Sequence, residues 1–168
     1  MTPFAASVAQ AQREASEASV KAAFLYKFAN YIEWPAAAFS SPAAPLVIGV
    51  AGADPIAAEL ERIVPGRAVN GHPVLVKRMR EGEGLRGVHV LFIGNGEAPI
   101  APTIRAAQRD GILVVTDTER GLEMGSAINF VPSGDRVAFE VSLDAAEKSG
   151  HRISARMLSV ARRVLPRS

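Results

Sequence analysis

The chain has no cysteine among its 168 residues. That absence removes disulfides, thiolate metal sites, redox dithiols and a cysteine nucleophile together. It assigns no compartment, because a cysteine-free protein suits cytosol and periplasm equally. A run of about eighteen apolar residues is also missing, so no segment reads as a membrane span. Aromatic residues are scarce, at 6%. Charge of one sign is nearly balanced, with a formal net of +2 and a pI of about 9.3. A small excess of Arg and Lys moves the pI far when few groups titrate near neutrality, so net charge gives little support for nucleic-acid binding. The excess is local: Arg152, Arg156, Arg162, Arg163 and Arg167 follow His151 with no acid among them.

What is present is the composition of an ordinary globular protein, 48% hydrophobic and 21% charged, at a length that suits one domain with a real core. Residues 1–19, "MTPFAASVAQAQREASEAS", read as a flexible N-terminal segment ahead of a single domain at 20–168. Ser7-Val8-Ala9 and Ala9-Gln10-Ala11 resemble the tail of a secretory signal peptide; a frayed, helix-prone start is the alternative.

The few aromatics concentrate in "VKAAFLYKFANYIEWP", where Phe24, Tyr26, Phe28, Tyr31 and Trp34 fall close together. A membrane anchor, a stacking surface and a core helix would each produce such a cluster. On a helical projection Val20, Phe24, Leu25, Phe28, Ala29, Tyr31 and Ile32 share one broad face, against Tyr26, Lys27, Asn30 and Glu33 on the other. The polar face carries both signs of charge, unlike the basic face of an interfacial membrane helix. The pattern therefore predicts a core helix ending at Trp34-Pro35.

Further on, "LVIGVAG", "GVHVLFIG" and "ILVVTD" read as buried strands, with one helix predicted to be capped by Asp54, opened by Pro55 and to run to Ile63, and another from Pro99 to Arg109. Asn70-Gly71 predicts a turn before a strand at Val74–Arg78. "SAINFVPSGDRVAFEVSL" predicts two strands about a Pro132–Asp135 turn. A short helix at Asp144–Lys148 is closed by Gly150, and "ISARMLSVARRVL" predicts a last helix. The expected fold class is α/β: a mixed sheet with helices on both faces and an antiparallel hairpin near the C-terminus.

An active site is hard to assemble from this inventory. "GNGEAP" (Gly94–Pro99) has the strand-to-helix context of a phosphate loop, but Pro99 replaces the third glycine and Glu97 opposes phosphate charge. No Walker lysine, nucleophile elbow or S-x-x-K is present. His72, His89 and His151 lack metal-ligand spacing, and His89 within "VHVLFI" reads as a satisfied core histidine. Asp117 reads as a loop cap. The C-terminal arginines lack interleaved aromatics, so a solvated helix face is favoured over nucleic acid. No catalytic residue, cofactor or metal site is expected, which points to a binding or regulatory protein.

"VKAAFLYKFANYIEWP" together with "ILVVTDTERGLEMGSAINFVPSGDRVAFEVSLDAAEKSGHRISARMLSVARRV" resembles the YfiR family of periplasmic regulatory proteins, over about Val20 to Val164. The resemblance implies a non-enzymatic, dimer-prone repressor. Such a protein binds the periplasmic sensor region of a membrane-bound diguanylate cyclase, lowering cyclic di-GMP and biofilm formation. An outer-membrane lipoprotein sequesters it. Some members carry disulfide-forming cysteines; this chain has none, so a thiol switch is excluded. The alternative reading is a periplasmic small-molecule sensor. The partner surface is expected at Tyr26, Trp34 and an exposed Gly150-His151-Arg152 corner. Glu140, Ile153 and Met157 are further interface candidates, the last two belonging to the core if buried.

Overall fold

A computed structural model describes residues 3–80, 83–94 and 100–167. Helix α1 (Pro3–Asn30) leads into a short strand β1 (Ile32–Glu33), and a single 3-10 turn (Ala36–Ala38) begins the crossing to β2 (Leu46–Ala51). Next come α2 (Asp54–Ile63), β3 (Ala68–Val69), β4 (His72–Met79), β5 (Val90–Ile93) and α3 (Ile100–Arg109). The C-terminal half holds β6 (Leu113–Thr116), β7 (Ile128–Ser133), β8 (Arg136–Ser142) and α4 (Leu143–Lys148), then β9 (Arg152–Ile153), α5 (Ala155–Val160) and β10 (Arg163–Leu165).

Eight strands form one sheet in the order β10-β8-β7-β6-β5-β2-β4-β3. The central run from β4 through β2, β5 and β6 to β7 is parallel. β7 and β8 form the expected antiparallel hairpin, with Gly134 at positive φ in its turn. The mixed sheet with helices on both faces is thus the observed architecture. Side chains alternate across a strand, so Val90 and Phe92 enter the core under α1 and α2, while Leu91 and Ile93 lie under α3 with Ile104 and Ala107.

The core reading of the aromatic stretch holds. Ala22, Leu25, Phe28 and Ala29 are buried, and the Phe28 ring lies 4.9 Å from Phe139 and 5.7 Å from Phe130. Val20, placed on the same face by the projection, is 39% exposed. Residues 3–19, expected to be a flexible lead-in, are helical and continuous with α1, and Ser7–Glu17 are exposed throughout.

Three local expectations are corrected. The opening helix stops at Asn30, not Trp34, because its last carbonyls find other donors: the Asn30 amide bonds Tyr26 O, the Trp34 indole N–H bonds Ala29 O at 2.9 Å, and Ser154 N–H bonds Tyr31 O. The chain then pairs β1 with β9, Ile32 opposite Ile153. The predicted last helix is only α5. Ala161 turns extended, Arg162 N–H goes to Phe139 O, and β10 runs parallel to β8 at the sheet edge. Asp54 is the first residue of α2 and caps nothing with its side chain.

Asp117 is not a loop cap. Its Oδ2 lies 3.2 Å from Lys21 Nζ and ties α1 to the end of β6, while Oδ1 is buried without a hydrogen-bond partner. Apart from Gly94 itself, the Gly94–Pro99 turn lies outside the described residues. At Gly94 a Cβ would overlap the Gly52 carbonyl, so only glycine fits where these two loops cross. Among the described residues, no helix is long and apolar enough to cross a membrane.

Candidate functional site

The β1–β9 ribbon places two stretches from opposite ends of the chain side by side. Glu33 stands opposite Arg152, and the residues that follow and precede them, Trp34 and His151, meet at a ring-centroid distance of 4.9 Å and 76°. α4 reaches the same corner because Ser142 Oγ accepts from Ala145 N–H at its start and Gly150, at φ 83°, turns the chain into β9. The result is a groove of about 670 Å³ lined by Glu33, Trp34, Pro35, Glu147, Gly150, His151, Arg152 and Arg167. A neighbouring hollow of about 360 Å³ continues past Leu143 and Ile153 to Leu158.

Charge along the groove is paired and exposed. Arg152 lies 3.8 Å from Glu33, and Arg167 lies 3.2 Å from Glu147. With the arginine and glutamate side chains of both pairs more than half exposed, these contacts add little stability and exchange readily for others.

His151 is buried, contrary to the exposed corner expected from a glycine-led turn. Trp34 folds over it. Burial holds its imidazole well below the usual range, to about 4, with the nearby His89 ring adding a smaller push and the Gly111 carbonyl opposing it. Its Nδ1 lies 3.0 Å from Ser149 Oγ, with donor and acceptor set by the tautomer.

The remaining predicted residues divide. Ile153 and Met157 are buried and belong to the core, although Ile153 also edges the hollow. Tyr26 is half-buried on α1 with the Arg67 guanidinium 5.4 Å from its ring centre, and it does not line the groove. Glu140 lies on β8, paired with Arg163 at 3.0 Å, and lines a separate hollow with Asp117 and Asn129. Trp34, His151 and Arg152 are therefore brought together, whereas Tyr26 and Glu140 stand apart.

Sequence reasoning missed Glu33, Glu147 and Arg167, whose partners lie on other elements. It also missed that all three histidines of the chain belong to one array. Trp34 meets His89 at 5.9 Å, Phe39 stacks on His89 at 4.7 Å, and Phe39 stacks on His72 at 3.6 Å. His89 is the satisfied core histidine expected: Val47 N–H donates to Nδ1 at 3.0 Å, so the proton sits on Nε2 and is donated to Ala38 O at 2.8 Å. Burial lowers its pKa, against the pull of the Ala38 carbonyl. Among the described residues, no group of three or more acids and histidines is placed to hold a metal.

A comparison with curated proteins gave no match. The model of the family described as YfiR/HmsC-like matches residues 18–162, nearly the whole chain and the whole of the groove except Arg167. This family is in general one of periplasmic, non-catalytic regulators of cyclic di-GMP signalling that work with a diguanylate cyclase. From α1 to the edge of β10, the chain belongs to the YfiR/HmsC-like family.

Proposed function

We propose that this domain represses a membrane-bound diguanylate cyclase by docking the groove between Trp34 and Arg152 onto the cyclase's periplasmic sensor region. The observation that carries the reading is the groove itself, where an aromatic anchor is flanked by two exposed ion pairs. An indole at the centre and arginine at the rim is the composition of a contact hot spot. Arg152 and Arg167 can trade Glu33 and Glu147 for carboxylates of a partner at little cost. Repression is then a population shift: the domain binds the inactive sensor state better than the active one, and moves the equilibrium by that difference alone. An outer-membrane lipoprotein competing for the same face would release the cyclase, and the working species is a homodimer.

The test is titration calorimetry of the domain against the periplasmic region of the diguanylate cyclase encoded nearest to it. Saturable binding, weakened at least about tenfold by Trp34→Ala and Arg152→Glu with the fold intact, supports the proposal. No binding by folded protein removes it. The groove also favours a second reading, a small-molecule sensor, because the half-buried Trp34 lines it beside two arginines. Native mass spectrometry that finds a retained ligand, lost in Trp34→Ala, would favour the sensor.

A further inference from the structure

The crossing from β1 to β2, residues 34–45, lies over the N-terminal ends of the strands like a strap, and the histidine array fastens it. His89 Nε2 holds Ala38 O at 2.8 Å and His72 Nδ1 holds Ala44 O at 2.7 Å. Phe39 is held between the rings of His72 and His89, and Trp34 lies against both His89 and His151. Every one of these contacts joins the strap to a histidine carried by a different element of the fold: β4, the lead-in to β5, and the corner before β9.

His89 is the ring that cannot take a proton in place. Its Nδ1 is the acceptor for Val47 N–H, so an added proton there would set donor against donor. Its own backbone stays in the sheet, with His89 N–H on Val47 O and Leu113 N–H on His89 O. The side chain alone is free to leave. His151 differs: its Nδ1 faces a serine hydroxyl that can rotate, because Ser149 Oγ also reaches Ala145 O and Ala146 O. The titratable group acting on His89 is His72, and His89 in turn acts on His151. On the groove side of His151, Glu33 and Glu147 are held by Arg152 and Arg167. The Phe39 face attracts an imidazolium, yet it supplies no acceptor for Val47 N–H.

We propose that residues 34–45 form a proton-released latch: protonation of His89 ejects its ring, frees Ala38 and one face of Phe39, and opens the strap beside Trp34 while the sheet stays folded. The proposal concerns the chain alone and holds whether or not the groove binds a cyclase.

The experiment is an NMR titration of the isotope-labelled full chain from about pH 8 to about pH 4. It follows the imidazole carbons, the Trp34 indole N–H and the Val47 amide, with amides of β5 and β6 as the control for folding. The expected result is a His89 midpoint below the ordinary histidine range, shared by the Trp34 and Val47 signals, with the β5 and β6 amides unmoved. Trp34 is the only tryptophan, so its emission should shift to the red and become quenchable by acrylamide over the same range. The proposal is overturned if His89 stays neutral throughout, if it titrates without moving Trp34 and Val47, or if the β5 and β6 amides are lost at the same midpoint. In His89→Gln, where folded, the shared transition should vanish; its persistence would equally overturn the latch.

Discussion

Removing Lys21 should cost more than removing its partner Asp117, and the difference follows from the geometry. Lys21 Nζ lies 2.7 Å from Glu17 and 3.2 Å from Asp117, and its side chain is 12% exposed. Asp117→Ala leaves the ammonium with Glu17 and takes away a carboxylate whose Oδ1 has no partner to lose. Its expected cost is about 1 kcal/mol. Lys21→Met keeps an unbranched stem but removes the ammonium from the Phe130 ring and strands the Asp117 carboxylate, with Oδ1 already orphaned and Oδ2 now bare. Stranding a buried charge costs about 3–5 kcal/mol; the residual exposure of both side chains reduces this to roughly 2–3 kcal/mol. The double variant Lys21→Met with Asp117→Leu should recover most of the loss. The Lys21 pKa is raised by Glu17 and Asp117 against burial, so the folded state holds its proton more tightly than the unfolded chain. The pair's contribution is therefore complete below the ordinary lysine range and is lost as pH rises through the folded value. Urea unfolding of the four proteins at neutral pH decides the matter. If Asp117→Ala proves as costly as Lys21→Met, the asymmetry argument fails and the pair is an ordinary symmetric bridge.

Three other outcomes are expected. His151 sits at about 4 folded, against about 6.5 unfolded, so the unfolded chain takes the proton first as pH falls. Stability should then decline between those values by up to roughly 3 kcal/mol, and urea midpoints in His151→Gln should fall less steeply than in wild type; equal slopes would contradict this. Gly121→Ala places a Cβ against Thr116 Oγ1 and Asn129 Oδ1, which are bonded at 2.7 Å, and should cost about 2 kcal/mol. Gly66→Ala, at φ 78° in open space, should cost about 1 kcal/mol, and thermal melts that reverse this order would refute the packing argument. Arg152→Glu should change stability by less than about 0.5 kcal/mol, since its pair is exposed, so a large loss in the melt would place Arg152 in the scaffold instead of the proposed docking face.

The elements most legible in the sequence are those whose signal is local. β2, β5 and β6 are apolar runs closed by glycine or polar residues, and they sit where those runs lie. Asn70 and Gly71 both take positive φ, as the turn between β3 and β4 demands. What the sequence hides is set by contacts between distant segments. The apolar spacing of Val160 and Val164 suits a helix, yet Val160 is 69% exposed and the chain leaves α5 because β8 offers Arg162 a carbonyl. Nothing near Trp34 announces that its indole will cap Ala29, nor that its ring will bury His151. The groove was half visible, in Trp34 and Arg152, because those residues flank turn signals. Glu33, Glu147 and Arg167 carry no local mark; the pairing of β1 with β9, the placement of α4 and the pairing of β10 with β8 bring them there.

That ribbon has a consequence for how the protein comes into being. One wall of the groove is laid down near the start of the chain and the other close to its end, and neither exists as a surface without its counterpart. The contact is among the most distant in sequence, and so among the slowest to close. The Tyr31 carbonyl, just past α1, is likewise unsatisfied until Ser154 N–H donates to it. The groove is thus absent until nearly the whole polypeptide is available, and a product truncated before β9 would lack it altogether.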